Sequence, residues 1–551
     1  MVSAGEAGGG AIPVLILKEG TSRTRGREAL RLNITVAKAI ADTIRTSLSP
    51  KGMQKMLVDP FGDVIITHDG ATIMKEIEVE HPTAKMMVDL AKSQEQEAGD
   101  GTTTVVLLAG ELLSKAEDLL DLGIHPTVII SGYRKAAEKA IEYLDEIAMR
   151  ADWKDRELLK KIAKIAMSSK SIRVAQDYLA DLVVDAALQV VEERDGRRIV
   201  DLENIKLEKK EGGSLFDTKL IRGIVVDKEV VHPRMPKRVE NAKIALIESA
   251  LEIKKPEISS KIRVTSPTQV KEFLDQEKQM LAELVEKIAA AGANVVFCQK
   301  GIDDVAQHFL AKHGILAVRR VRKSDMEKLA KATGAKIVVN VKEISEKDLG
   351  FAELVEERRV GEDKMVFVEG CKDPRAVSIL IRGGEKQVID EAERNLHDAL
   401  SVVRNVIEDG KIVVGAGAAW MDLVLKLRNY AVQLSGKEQN VVEKFAEALE
   451  SIPKTLIENA GHDPIIKLAE LRKAHAEGKK EYGFNIYTGE VEDMYKRDII
   501  EPERVLRRAI ESAAEFATTI LKIDDIIAAA GKKFEPGKGK EKEKGEKSES
   551  D

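Results

Sequence analysis

The sequence predicts a multidomain α/β and α protein in which helical ends enclose an α/β middle. Three observations carry that expectation. Toward both ends, long stretches repeat apolar residues at three and four, the period of a helix face laid on a core. Between them, short β-branched runs alternate with helical stretches, the pattern of a compact α/β unit. The chain has 551 residues, enough for roughly three to four domains of ordinary size. The economical arrangement is one helical domain drawn from both ends with the α/β unit inserted into it.

In chain order, residues 1–20 are small and glycine-rich up to a short apolar run at 14–17. A helix follows over 27–48, its apolar stripe read as Leu32, Val36, Ala39, Ile40, Thr43 and Ile44. Residues 49–52 end it with turn chemistry, and the runs 55–58 and 64–67 form a hairpin. Helices fill 83–98, 102–121, 127–148 and 152–195, the last broken near 168–171. From 199 the texture changes to β runs at 205–207, 220–226 and 243–247. An amphipathic helix carries Leu281, Val285 and Ile288, and strands at 294–297, 317–318 and 337–339 alternate with helices at 302–313 and 324–333. A hairpin-like pair, 364–369 with 376–382, leads into a helix over 385–408. The remainder is mostly helical to 530, and residues 531–551 end in a Gly/Lys/Glu/Ser run, a disordered charged tail.

Composition narrows the function. A net charge of −6 gives no basic footprint for nucleic acid. Two cysteines, Cys298 and Cys371, are too few for a disulfide framework and fit a reducing compartment. With no apolar run long enough for a bilayer and no signal-peptide pattern, the expectation is a cytoplasmic protein without a membrane partner.

The chemistry concentrates at residues 99–104, where Gly99 and Gly101 flank Asp100 and Thr102, Thr103 and Thr104 open a helix. Free backbone N–H groups, a helix N-terminus and hydroxyls make such a turn an anion site. Asp100 conflicts with an anion unless a divalent cation lies between them, and Mg²⁺ is held by one or two carboxylates plus phosphate oxygens. The same six residues also read as an ordinary capped helix start, with Asp or Thr as the cap. Other phosphate sites are excluded. No G-x-x-x-x-G-K-[ST] occurs, and Gly415 and Gly417 lack the third glycine of a dinucleotide fingerprint. His308 and His313 are five apart, the wrong spacing for a zinc pair on a helix, and no nucleophilic triad is legible.

Over nearly its whole length the chain resembles the group II chaperonins, the archaeal thermosome and its eukaryotic cytosolic relatives. The resemblance rests on residues 14–23, 50–59, 69–73, 99–104, 299–304 and 396–400, in that order. It implies an ATP-dependent chaperone: an ATPase subunit of a double ring, homo- or hetero-oligomeric, that encloses non-native polypeptides with a built-in lid and no separate co-chaperonin. It also implies an equatorial ATPase domain from 1–150 and 408–530, and a hinge-like intermediate domain from 151–221 and 372–407. An inserted α/β apical domain would occupy 222–371, with a helical protrusion at about 250–280.

Carried over from the family, Asp100 ligates Mg²⁺, and Gly101 with Thr102, Thr103 and Thr104 contacts the phosphates of ATP. Leu48, Ser49 and Pro50 line the nucleotide, Asp69 and Gly70 sit near the γ-phosphate, and Asp398 orients or activates the attacking water. Lys170 senses the γ-phosphate, Gly415 and Gly417 belong to a glycine turn, and Asn485 approaches adenine. Taken singly, Asp398 also reads as a solvated helix carboxylate and Lys170 as a surface lysine. Several positions depart from the family pattern. Ser49, Ala416 and Asp498 stand where glycines are usual, His68 replaces Asn, Trp420 replaces an acid, and Lys496 replaces an acid that meets the ribose. These departures leave open a structural ring subunit that binds nucleotide weakly; a metabolic phosphotransferase has no acid/base constellation to support it.

Overall fold

The structure, a computed structural model, describes residues 22–528 apart from 63, 168–171, 253–266 and 373. The run at 14–17, Lys170, the 253–266 part of the protrusion and the charged tail therefore lie outside the described residues.

Three hydrophobic cores organise the chain. The first is helical and draws on both ends: Gly26–Arg45, Pro82–Ala98, Thr102–Asp121 and Pro126–Ile147 pack with Ala418–Gln433, Lys437–Asn459 and Glu503–Ile520. Thr102–Asp121 is its centre. Val105, Val106, Leu107, Leu108 and Ala109 have no exposed surface, so its N-terminal half is apolar all round, while Glu117, Asp118 and Asp121 bring the other end to the surface. Small residues set its approach to Gly26–Arg45: a Cβ at Gly110 would sit 2.3 Å from the Cβ of Ala41. For the same reason the stripe expected on the first helix is displaced. It buries Leu30, Ile34, Ala37, Ala41 and Ile44, while Leu32 (40% exposed), Ala39 and Thr43 face outward. The alanines that make the close contact are too weakly apolar to mark it.

The second core, Ile224 to Ala376, surrounds a mixed sheet. Its strands run in the order Leu316–Val318, Val295–Cys298, Arg238–Ile247, Gly350–Val360, Asp363–Glu369, Gly223–Val226, with Ile337–Val338 beside the end of Arg238–Ile247. Its first three strands are parallel and joined through helices, as an α/β unit requires. The third core lies between the others. Val377–Gly383 pairs in parallel with Ile205–Glu211 and antiparallel with Lys219–Ile221, against helices Arg156–Ala166, Gln176–Gln189 and Lys386–Asp409.

Three expectations are corrected here. The pair 364–369 and 376–382 is not a hairpin, because Val366 and Val368 belong to the second core while Val377, Ile379 and Ile381 belong to the third. The run 220–226 divides likewise into two strands in different sheets. The chain crosses at Gly223 (φ +148°), where any Cβ would lie 1.9 Å from the Val368 carbonyl oxygen. The helix expected through 195 stops at Gln189, and Val191–Arg194 turns back onto Arg197–Val200. Asp195 (φ +52°) and Gly196 (φ +74°) form the two-residue turn, the Asp-Gly pair that favours a type I′ hairpin.

The helix Lys386–Asp409 joins the third core to the first. Its Asn405 Nδ2 donates to the Ala98 carbonyl at 2.7 Å, and Ser401 packs so tightly on Gly99 that a Cβ there would sit 1.9 Å from its own.

Candidate functional site

Helix Pro82–Ala98 ends at Gly99, in the left-handed conformation (φ +71°), and Gly101 (φ +80°) is the N-cap of Thr102–Asp121. No side chain caps that N-terminus. The first intrahelical bond runs from Val105 N–H to the Gly101 carbonyl, so the N–H groups of Thr102, Thr103 and Thr104 are the orphan donors of the helix. Asp100 is not the cap: its Oδ1 accepts from Gly101 N–H at 2.6 Å. Gln94 braces the turn by donating from Nε2 to the carbonyls of Asp100 (2.9 Å) and Val505 (3.2 Å). This is the geometry of an anion site with a carboxylate at its rim, not of a capped helix start.

The turn opens into a cavity of about 830 Å³ between the first and third cores. Leu48, Ser49 and Pro50 form one part of its lining, Asp69 and Gly70 another. Asp100, Gly101, Thr102, Thr103 and Thr104 share it with Asp398, Gly417 and Asn485. Gly415 lies one layer back, where a Cβ would meet Glu501 Oε1 at 2.4 Å. A second uncapped helix also begins at the wall: Ala418–Gln433, with Gly417 (φ +82°) at its N-cap. Trp420, Phe484 and Ile486 supply an apolar wall of the kind a planar base stacks on.

Two of these side chains already have structural duties. Asp69 caps Gly70–Glu76, accepting from Thr72 N–H at 2.8 Å and Thr72 Oγ1–H at 2.7 Å. That cap holds Gly70 against the threonines, where a Cβ would lie 2.4 Å from Thr103 Oγ1. Asn485 pins its own loop, with Oδ1 accepting from Tyr487 N–H and Nδ2 donating to Glu492.

Electrostatically the cavity is crowded with carboxylates. Burial holds Asp398 well above the usual carboxylate range, and Asp69, Asp100, Glu95 and Glu391 push it further. Asp100, open to the cavity but enclosed by its walls, is raised by burial and by Asp69, against the pull of the Gly101 N–H. Glu501 is pushed up to about 7 by burial, with Asp100 adding and the Ala416 N–H opposing. Such a cluster calls for positive charge. Among the described residues no three His, Cys, Asp or Glu side chains form a metal cage. Asp100 beside the orphan N–H groups is a donor set that suits a cation shared with an anionic ligand, which is the habit of Mg²⁺.

The three positions that depart from family glycines all hold positive φ: Ser49 at +85°, Ala416 at +52° and Asp498 at +61°. All three line the cavity. Lys496 turns away instead, its ammonium 3.0 Å from Asp493 and its side chain 82% exposed. Beside Asp498, the acid that lines that wall is Glu501, which the sequence did not single out; no local pattern links it to Asp100, some four hundred residues earlier. His68 Nδ1 lies 4.0 Å from Glu391 Oε1, a contact from the hairpin side to the Asp398 helix.

A helical core drawn from both ends, an inserted α/β unit and a cavity with an uncapped helix N-terminus at the joint define a class of protein whose candidate site lies between two separate cores. The TCP-1/cpn60 chaperonin family matches residues 40–531. The thermosome subunit alpha of Archaeoglobus fulgidus is 59% identical over 98% of this chain and 97% of its own length. A thermosome subunit of Pyrococcus horikoshii is 59% identical over 97% and 96%. A solved open-state monomer of a group II chaperonin from Methanococcoides burtonii superposes with a TM-score of 0.61 at 47% identity, over 77% of this chain and all of that one. The chain belongs to the TCP-1/cpn60 chaperonin family, as a group II chaperonin subunit of the archaeal thermosome kind. Its function is accordingly that of a subunit in an oligomeric, ATP-dependent protein-folding chaperone.

Proposed function

We propose that the cavity binds Mg·ATP and hydrolyses it, and that the joint between the first and third cores couples this reaction to the folding of non-native polypeptides. The observation that carries the reading is the uncapped N-terminus of Thr102–Asp121 facing, across one cavity, the Asp398 carboxylate from a different core. The free N–H groups and hydroxyls of Thr102, Thr103 and Thr104 bind phosphate oxygens, and Asp100 holds the cation. Magnesium, when bound, supplies the positive charge that phosphates and carboxylates need to share the space. Asp398 accepts the proton of the attacking water, a role open to it only when ionised. Asp69 keeps Gly70 and its helix against the threonines, and the acid toward the sugar is Glu501.

The test is Asp398→Ala beside Asp100→Ala. Asp398→Ala retains ATP binding and loses at least about 100-fold in hydrolysis, whereas Asp100→Ala loses productive Mg·ATP binding. Wild-type turnover in Asp398→Ala would overturn the assignment. Because burial and neighbouring carboxylates raise Asp398, hydrolysis falls off on acidification at a higher pH than an ordinary carboxylate would give.

In the oligomer we assign the hairpin Lys55–Val58 and Val64–Thr67 to contact with a neighbouring subunit. It leaves Met56 (67%), Val58 (61%) and Phe61 (93%) exposed on a ribbon whose outer edges pair with no other strand among the described residues. Phe61→Asp lowers the fraction of assembled rings seen by electron microscopy; undiminished assembly refutes that assignment. The inserted α/β unit, rather than a separate co-chaperonin, covers the client, and the protein works in the cytoplasm. No helix among the described residues is long and apolar enough to cross a membrane.

A further inference from the structure

Two contacts span the mouth of the cavity. Lys161, on helix Arg156–Ala166, places its ammonium 2.9 Å from Asp498 Oδ1, and both residues line the cavity. Arg173 lays its guanidinium over the ring of Tyr487, 5.6 Å from its centre, and Tyr487 lines the cavity too. In each case the cation comes from the side of the third core, where Leu159, Ile162, Ile172 and Ala175 are buried. Each partner comes from a loop flanking Val491–Asp493, the wall on the sugar and base side.

Asp498 is held for this contact. Its backbone sits at φ +61°, a region that costs any residue other than glycine, although Asp tolerates it better than most. Bonds from Asp498 N–H to the Tyr495 carbonyl (3.1 Å) and from Ile499 N–H to the Met494 carbonyl (3.0 Å) fix the turn at the rim. Its neighbour Arg497 is engaged by Glu492, so the cation that reaches Asp498 is Lys161. Lys161 also faces Asp155 and Glu157 from its own end of the chain, with Asp498 the strongest influence on it.

We propose that the Lys161–Asp498 pair, with Arg173–Tyr487 beside it, is a clasp across the cavity mouth that sets how fast spent nucleotide leaves. The inference rests on the reading of the cavity as a nucleotide site. A bound nucleotide fills the space behind the bridge, so departure waits for the bridge to open, and product release limits turnover in many enzymes with closing elements. An exposed ion pair is weak and screened by salt, which makes the clasp a modest, ionic-strength-sensitive brake.

The experiment uses the assembled full-length protein loaded with Mg²⁺ and fluorescent N-methylanthraniloyl-ADP. The complex is chased with unlabelled ADP in a stopped-flow instrument at about 50 mM and about 500 mM salt. Asp498→Asn and Lys161→Gln are each expected to speed release by about three-fold at the lower salt. Each should flatten the salt dependence, and the double variant should be no faster than either single one. Asp498→Gly, which also relieves the backbone, should release as fast as Asp498→Asn. Wild-type rates in the single variants, or effects that multiply in the double variant, overturn the clasp. Failure of the wild-type protein to bind Mg·ADP in a titration overturns the nucleotide reading, and the clasp falls with it. Normal binding with unchanged release removes the clasp alone.

Discussion

At residues 99–101 and again at 415–417 the chain passes through a tight turn into a helix whose N-terminus no side chain caps. The two turns meet the same cavity yet are built on different tolerances. At the first, neighbouring atoms dictate glycine: a Cβ on Gly99 would collide with Ser401, and one on Gly101 would lie 2.8 Å from Val505 Cγ1. At the second, Ala416 already carries a side chain at φ +52°, and the carboxylate of Glu501 rests behind Gly415. The first turn is therefore a joint between two cores, set by contact with the Asp398 helix. The second is a wall whose cost is local backbone strain and a buried acid. Contact geometry also holds the outer glycines of the second turn, where a Cβ on Gly417 would lie 2.9 Å from Pro453 Cβ, so its one position with room for a side chain is the middle one, Ala416.

Gly99→Ala is the hardest blow to that contrast. It adds a methyl in the left-handed region and forces it into Ser401, and the expected loss is about 4 kcal/mol of stability together with most ATP hydrolysis. Thermal unfolding and turnover both report it, and a wild-type melting temperature would show that the joint has slack. Glu501→Gln should sharpen the other half. The folded protein holds the Glu501 proton up to about 7, against 4.5 for the unperturbed group. A raised carboxyl pKa means the folded state carries no penalty below 4.5, loses stability as pH rises between those values, and bears the full cost above about 7. Glu501→Gln should therefore stabilise by on the order of 2 kcal/mol at pH 8 and by nearly nothing at pH 4. An equal gain at both pH values would assign the effect to packing. Ala416→Gly is the smallest: relief of the strained φ, partly offset by a more flexible unfolded chain, leaves a gain of about 0.5 kcal/mol in denaturant unfolding.

What could be read from the chain followed the range of the physics. Helices such as Pro126–Ile147, and the hairpin at 55–67, are set by local periodicity and turn residues, and both stood out. Strand partnership is not local. Nothing within 364–382 says that Val368 packs in one core and Ile379 in another, so the pairing expected there failed. The Asp-Gly turn at 195–196 was legible but was covered by a helical reading of the residues around it. In the site, the turn at 99–104 declared its own chemistry, whereas the approach of Asp398 and Glu501 to Asp100 depends on folding across three to four hundred residues. Lys496 illustrates the finest limit: a position next to Arg497, which lines the cavity, faces solvent, and its departure from the family's acid leaves the cavity lining untouched.

The seating of Ser401 on Gly99 also gives the chaperonin a mechanical ratio. Helix Lys386–Asp409 is 24 residues long, and Ser401 stands on a fixed point of the first core. Asp398 is three residues from that point and Lys386 is fifteen, or roughly 4.5 Å and 22 Å along the axis at an α-helical rise. Tilted as a rod about Ser401, the helix swings its far end about five times as far as it swings the carboxylate. A tilt that moved the carboxylate by about 1 Å would thus move the far end of the helix, where Ile389 packs on Gly383, by roughly 5 Å.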